Sequence, residues 1–402
     1  MVEETRTSPY GAMDPAMASD PRAFYKALRD NAPVMSVEGA GVIVARYAET
    51  DIVLHDPVTF SSKMGAVDLK NVRPLIPLQI DPPQHRTYRK ILDPLFAPKP
   101  MAMLEAPITA VVRELIDACI AASADGPIDF TAMFAMPFPS RVFLEMFGVP
   151  VEDLTIFLAM KDGIIRPDHA SGTEWGGSEA EAHQAATSAS IYEYFSRVIA
   201  EKEAAPGDDL ISQFLAAEID GSRLTHEDIL DICFLFLIAG LDTVTATLTC
   251  MFGYLTSHPE QREKLVADPS LIPSAIEEML RWETPVMGIA RIATADTELN
   301  GCPVAKGQQV SVLIGSANTD EADLADADVV RFERDSRRHL AFGGGVHRCL
   351  GSHLARLELR VALTEWHRRI PEYSVPDGEA LVYTPGIRTI DRFPMHIHPR
   401  AD

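Results

Sequence analysis

Cysteine is sparse in this chain and never clustered: Cys119, Cys233, Cys250, Cys302 and Cys349 are an odd number with no Cys-x-x-Cys pair. That argues against a disulfide framework or a zinc site and points to a reduced compartment. Positive charge is also short. Lys and Arg total 36 against 58 Asp and Glu, a formal net charge of −22, which suits a soluble protein and speaks against generic binding to nucleic acid or anionic membranes. No apolar run reaches the ~20 residues that cross a bilayer. The most apolar one, Ile229 to Leu241, is interrupted by Asp231 and closed by Asp242, so it reads as a buried helix. The N-terminus, Met-Val-Glu-Glu-Thr-Arg, lacks the apolar core of a signal peptide or anchor, and a cytoplasmic location is expected. No internal repeat, low-complexity tract, flavin or iron–sulfur motif, or DNA-binding segment stands out, so residues 1–402 are expected to form a single domain.

Glycine is concentrated at one place, Phe342-Gly-Gly-Gly-Val-His-Arg-Cys349. Three glycines in a row cost about 0.5–1 kcal/mol each in a helix or strand, so they imply a sharp turn or a close backbone approach. Leu350, Leu354, Leu357 and Val361 then repeat at helical spacing, which places Cys349 in or beside a first turn. Free N–H groups and the helix dipole favour a thiolate there. A lone cysteine is more often a small buried apolar residue, and that reading stands beside it.

Few strands are expected after an early hairpin at 34–46. A short helix covers 21–31, residues 61–80 read as a long exposed loop, and helices follow from Gln84, at 104–124, 138–148, 152–165 and 180–203. The connection 161–179 is either a lid over a pocket or an idle surface loop. His85, Arg86, Arg89 and Lys90 crowd a helix start, the wrong sign for that end unless an anion lies nearby; a solvated basic face is the other reading. Thr225 and Asp228 fit a capping box for a helix reaching Ser257, about 50 Å long. Gly240, Asp242 and Thr243 at its buried centre cost propensity. They are explained if Gly240 lets a small ligand approach, Thr243 hydrogen-bonds it or a helix carbonyl, and Asp242 relays protons.

Phe-Gly-x-Gly-x-His-x-Cys-x-Gly resembles the haem-binding loop of the cytochrome P-450 family. Ala239-Gly240-Leu241-Asp242-Thr243 resembles that family's Ala-Gly-x-Asp/Glu-Thr motif, and Glu278-Met-Leu-Arg281 its Glu-x-x-Arg motif. The resemblance implies a mainly α fold with small β-sheets (α+β), with haem b between the long central helix and the Cys-loop helix. It makes Cys349 the axial iron ligand and places Phe342, Gly343 and Ala239 against the cofactor. His85, Arg89, Arg291 and His347 would meet the propionates, Asp242 and Thr243 would assist protonation of dioxygen beside Gly240, and Arg334 would complete the Glu278–Arg281 network. One stretch departs from the family: Ala327-Asp-Val-Val330 stands where Pro-x-Arg-Phe is usual, leaving Phe332 as the candidate aromatic.

The implied activity is that of a monomeric monooxygenase that activates O2 with two external electrons and inserts one oxygen atom into a hydrophobic small molecule, by hydroxylation, epoxidation or O-dealkylation. Leu75, Ile76, Leu78, Leu235, Ile238, Val286, Met287, Ile289 and Ile387 are the candidate pocket walls, and Arg388 either anchors a carboxylate or forms a surface salt bridge. Electrons would come from NAD(P)H through a ferredoxin reductase and a ferredoxin. The ferredoxin would dock on Arg86, Lys90, Arg348, Arg356 and Arg360. A peroxygenase using H2O2, or a non-enzymatic haem-thiolate ligand- or gas-binding protein, are the alternatives.

Overall fold

Thr225 starts the element around which the rest is arranged. Its hydroxyl accepts the Asp228 N–H at 3.1 Å and the Asp228 carboxylate accepts the Thr225 N–H at 2.9 Å, the expected capping box. The central helix then runs from His226 to Ser257. The computed structural model describes residues 19–66, 69–173, 177–219, 221–334, 338–384 and 386–400; the first 18 residues lie outside these. By length and composition the central helix would suit a membrane, yet 72% of its most apolar window is buried inside the protein. Its apolar surface is satisfied by its own chain.

Two cores do this. Toward its N-terminal half, Ile229, Cys233, Leu237 and Leu241 pack with residues of the helices Pro137–Phe147, Leu154–Ile165 and Ser178–Ala204. Toward its C-terminal half, Val244, Leu248, Met251, Phe252 and Leu255 pack with the helices Glu105–Ala122, Ile272–Glu283 and Ser352–Arg369. Trp366, fully buried, meets Phe130 and Phe252 edge-on at 5.0 and 5.3 Å, the offset geometry that ring quadrupoles favour.

The β-structure lies to one side. Val34–Val37 and Gly41–Val44 form the expected hairpin, Gly41–Val44 pairs in parallel with Gln309–Val312, and Ile289–Ala293 and Phe60–Ser61 complete a five-stranded sheet. Arg291 is paired there with Val310. A three-stranded sheet joins Glu372–Ser374, Pro394–His398 and Ile128–Asp129.

Two loop expectations need correction. Among the described residues of 161–179, the helix Leu154–Ile165 is followed after one residue by a short helix, Pro167–Ser171, and the next helix begins at Ser178; Pro167 sits at the start of its helix, where a missing N–H costs nothing. The described residues of the 61–80 segment are irregular but mostly buried or half-buried, with Lys63, Val72 and Pro74 exposed. The Gln79 Oε1 accepts the Leu75 N–H and an Asn71 side-chain N–H, both at 2.8 Å, folding the loop onto itself and turning Leu75 and Ile76 inward.

A buried ion network joins the helix Ile272–Glu283 to the loops before the Cys349 turn. Arg281 donates to both oxygens of Glu278 at 2.9 and 2.8 Å and to the carbonyls of Asn318, Ala327 and Val329. Arg334 Nε reaches Glu278 at 3.3 Å, and Phe332, 1% exposed, packs into the adjacent core. Removing one member leaves a desolvated charge, so Glu278→Gln is expected to destabilise the protein by about 3–5 kcal/mol, read from the denaturant midpoint. A loss below about 1 kcal/mol would mean that water already reaches the pair.

Candidate active site

The Cys349 turn is built from hydrogen bonds that double the chain back on itself. Gly343 N–H donates to the Leu340 carbonyl at 2.7 Å and Cys349 N–H to the Phe342 carbonyl at 2.8 Å. Gly343 and Gly345 have φ of +67° and +61°, and a Cβ on Gly345 would lie 2.2 Å from the Leu54 carbonyl oxygen, so both a left-handed backbone and a close approach require glycine there. Cys349 emerges just ahead of the helix Ser352–Arg369. Its residue is accessible, whereas Cys119, Cys233 and Cys250 are buried. Surrounding protein pushes its thiol above the ordinary value by desolvation, opposed by the Gly351 N–H and by Arg89, Arg348 and Arg356. The fold therefore presents the sulfur and only partly stabilises its anion; a bound cation would complete the ionisation.

Beside this turn lies a cluster of buried nitrogen donors. His85 is 2% exposed and neither ring nitrogen has a hydrogen-bond partner among the described residues; the same holds for His347 Nε2. The two rings are 4.4 Å apart. Arg291, 5% exposed, donates to the Ala290 carbonyl at 2.8 Å, and among the described residues no carboxylate pairs with it. Desolvation pulls Arg291 down to about 10 and His347 down to about 3, the latter with repulsion from Arg291, His85 and Arg89. Two imidazoles with unpartnered buried nitrogens and a buried guanidinium with a single backbone acceptor among the described residues call for an anion with several oxygens. An accessible thiol beside a buried guanidinium and two imidazoles with unpartnered nitrogens is a donor set that suits an iron porphyrin with two propionates, so the residues fit that group. Arg89 is nearby but already engaged, with Nε on Asp93 at 2.6 Å and Nη1 on the Arg348 carbonyl at 2.9 Å.

On the central helix, Ala239 is accessible and Thr243 half-buried while Leu241, Asp242 and Val244 are buried. The 239/243 strip, four residues apart, is thus one open face. Thr243 Oγ1 donates to the Ala239 carbonyl at 3.0 Å, taking the second of the two roles expected for it. A Cβ on Gly240 would meet the Phe143 ring at 2.8 Å, so this glycine admits the neighbouring helix Pro137–Phe147. Asp242 points away from the open strip. It pairs with Lys161 at 3.1 Å and Arg166 at 3.2 Å, and Arg166 also holds Asp391 at 2.9 Å. Lys161 and Arg166 carry no sequence motif, and their separation from Asp242 in the chain hides the pairing.

The candidate pocket walls divide. Leu78, Ile238, Val286, Ile289 and Ile387 keep accessible surface, and Val286 bridges Ile387 across an antiparallel β-bridge. Leu75, Ile76 and Leu235 are core residues, and Met287, 1% exposed, packs with Tyr25, Ala45 and Leu313. Val286 and Met287 take opposite sides because successive residues of an extended chain do so. Arg388 is neither a surface residue nor an anchor: it is buried, ion-paired with Glu283, and lies 4.1 Å over the Tyr383 ring. The basic patch is smaller than expected. Arg356 pairs with Glu277 at 2.6 Å and Arg360 with Glu105 at 2.8 Å, both half-buried, whereas Arg86, Lys90 and Arg348 are exposed.

The family model "Cytochrome P450" matches residues 42–369. A steroid C26-monooxygenase of Mycobacterium tuberculosis is 35% identical over 371 residues, covering 90% of each chain. Cytochrome P450 109 of Bacillus spizizenii is 34% identical over 325 residues, covering 80% of this chain and 77% of its own. The crystal structure of CYP109E1 from Bacillus megaterium in complex with testosterone superposes with a TM-score of 0.87 at 29% identity, covering 96% of this chain and 99% of that one. The chain belongs to the cytochrome P450 family, whose members are haem b oxidoreductases that draw electrons from NAD(P)H through redox partners and oxygenate hydrophobic small molecules.

Proposed function

We propose that the chain is a single-domain, cytoplasmic, monomeric monooxygenase that hydroxylates or otherwise oxygenates an uncharged polycyclic molecule, with Cys349 as axial ligand. The observation that carries the reading is the group of unpartnered, buried His85 and His347 nitrogens around the buried Arg291, next to the Cys349 turn. When bound, the haem supplies dioxygen activation and oxygen-atom insertion. His85, His347 and Arg291 would hold its propionates, Arg89 would add charge while tying its helix to the turn, and Phe342 and Gly343 would line the cysteine side. Ala239 would leave room on the far side.

Thr243 would hold a proton at Oγ1, facing the open strip, and Asp242 would stand behind it in the helix, neutralised by Lys161 and Arg166. For the substrate, the walls Leu78, Ile238, Val286, Ile289 and Ile387 are aliphatic. The cations Arg73, Lys161 and Arg388 pair with Asp231, Asp242 and Glu283. A carboxylate would find no counter-charge in them, which favours a neutral ligand. The steroid C26-monooxygenase and the testosterone-bound structure support a steroid-sized skeleton. For electron supply, Arg86, Lys90 and Arg348 form a basic island on an acidic protein and suit an acidic ferredoxin with its reductase.

The decisive test is the reduced, CO-bound spectrum of the haem-loaded protein, expected to absorb at about 450 nm for a thiolate ligand, together with ferric Soret shifts induced by neutral steroids but not by fatty acids. Absence of the band would overturn the ligand assignment; steady turnover with H2O2 and none with a ferredoxin system would favour a peroxygenase. Thr243→Ala should retain haem and substrate binding while diverting most reducing equivalents to peroxide, measured as product per NADH consumed. Arg86→Glu with Lys90→Glu should slow reduction by the ferredoxin about tenfold at low salt and flatten its salt dependence.

A further inference from the structure

The Gly343–Cys349 turn is held from outside by a side chain that belongs to no motif. His55, the last residue of the helix Tyr47–His55, accepts the Gly345 N–H on Nε2 at 3.0 Å. A backbone N–H can only donate, so Nε2 carries the lone pair and the ring proton sits on Nδ1. Nδ1 faces two acceptors of Asp51, the backbone carbonyl at 2.9 Å and the carboxylate at 3.1 Å. Partners on both sides thus fix one neutral tautomer.

The seat is close-fitting. A Cβ on Gly344 would lie 3.0 Å from His55 Cε1, and one on Gly345 would strike the carbonyl of Leu54, itself 2% exposed and part of the core beneath the sheet. From Gly345 the connection continues: the Arg348 N–H donates to the Gly345 carbonyl at 3.3 Å, and Arg89 Nη1 donates to the Arg348 carbonyl at 2.9 Å. The turn is pinned at one end by His55 and at the other by Arg89. Cys349 follows directly.

We infer that His55 is a positioning residue for the cysteine ligand, acting as a neutral hydrogen-bond acceptor that fixes Gly345 and, through the Gly345–Arg348 turn, the place of the Cys349 sulfur. The inference rests on the haem-thiolate reading above. His55→Ala removes the acceptor, His55→Lys substitutes a group that can only donate, and His55→Gln restores an acceptor oxygen on a side chain of similar reach. The measurements, on haem-loaded protein, are the rate at which the reduced CO band is lost and the ferric–ferrous midpoint potential. The Ala and Lys variants should lose the band about threefold to tenfold faster, the range one neutral hydrogen bond is worth, with the Gln variant within about twofold of the parent. The potential should shift in Ala and Lys and return in Gln. Equal decay and potential in all four proteins, or a Gln variant indistinguishable from Ala, overturns the role of His55. A parent without the band overturns the haem-thiolate reading instead.

Discussion

A buried guanidinium, Arg291, with no ion-paired carboxylate among the described residues and two imidazoles with unpartnered nitrogens beside it, is the constraint on which this structure turns. Elsewhere the molecule neutralises its buried cations from within: Arg281 by Glu278, Arg388 by Glu283, Lys161 by Asp242, Arg29 by Asp320 and Glu321. Desolvating a guanidinium costs several kcal/mol unless an anion compensates; Arg262, without a carboxylate among the described residues, is met by the Tyr373 carbonyl and ring, whereas Arg291 has one backbone acceptor and two imidazoles with unpartnered nitrogens beside it. The fold keeps that imbalance beside an accessible cysteine. A cofactor carrying both a metal and carboxylates resolves both at once.

Much of this could be read from the residues because the chemistry is local. The glycine-rich turn, the capping box at Thr225 and Asp228, and the Glu278–Arg281 pair each depend on neighbours within a few positions. What could not be read depends on distant partners. Nothing in the spacing of Lys161 and Asp242 tells that they meet, so the buried ion cluster around Asp242 could not be read. That Gly240 admits the Phe143 ring was equally hidden, because Phe143 lies on another helix. The run Val286-Met287 read as one wall, whereas backbone alternation sends one residue toward the pocket and the other toward the sheet. Phe332 lies outside the usual motif position, yet its ring reaches the core.

Charge is organised differently on the two sides of the site. Around the substrate side, ion pairs link separate elements: Arg73 of the 69–80 loop joins Asp231 of the central helix and lies over Tyr192 of the helix Ser178–Ala204. Asp231, which breaks the apolar run of the sequence, is where those three elements are tied. On the cysteine side, Arg356 and Arg360 are spent on Glu277 and Glu105, so packing of helix Ser352–Arg369 against its neighbours takes charge that would otherwise face a partner. Burial of Glu277 beside Arg356 and His339 still leaves its carboxyl down at about 2, with attraction outweighing desolvation.

The central helix has a bearing on how the protein is made. Its N-terminal half is covered mainly by residues that precede it, and its C-terminal half by residues as late as Leu357, Trp366, Phe393 and Ile397. Ribosomes add about 5–20 residues per second, so Phe252 and Leu255 leave the ribosome roughly 7–30 s before their last partners exist. For that interval a segment apolar enough to resemble a membrane span has one flank without its final covering, which makes the nascent chain a natural client for chaperones.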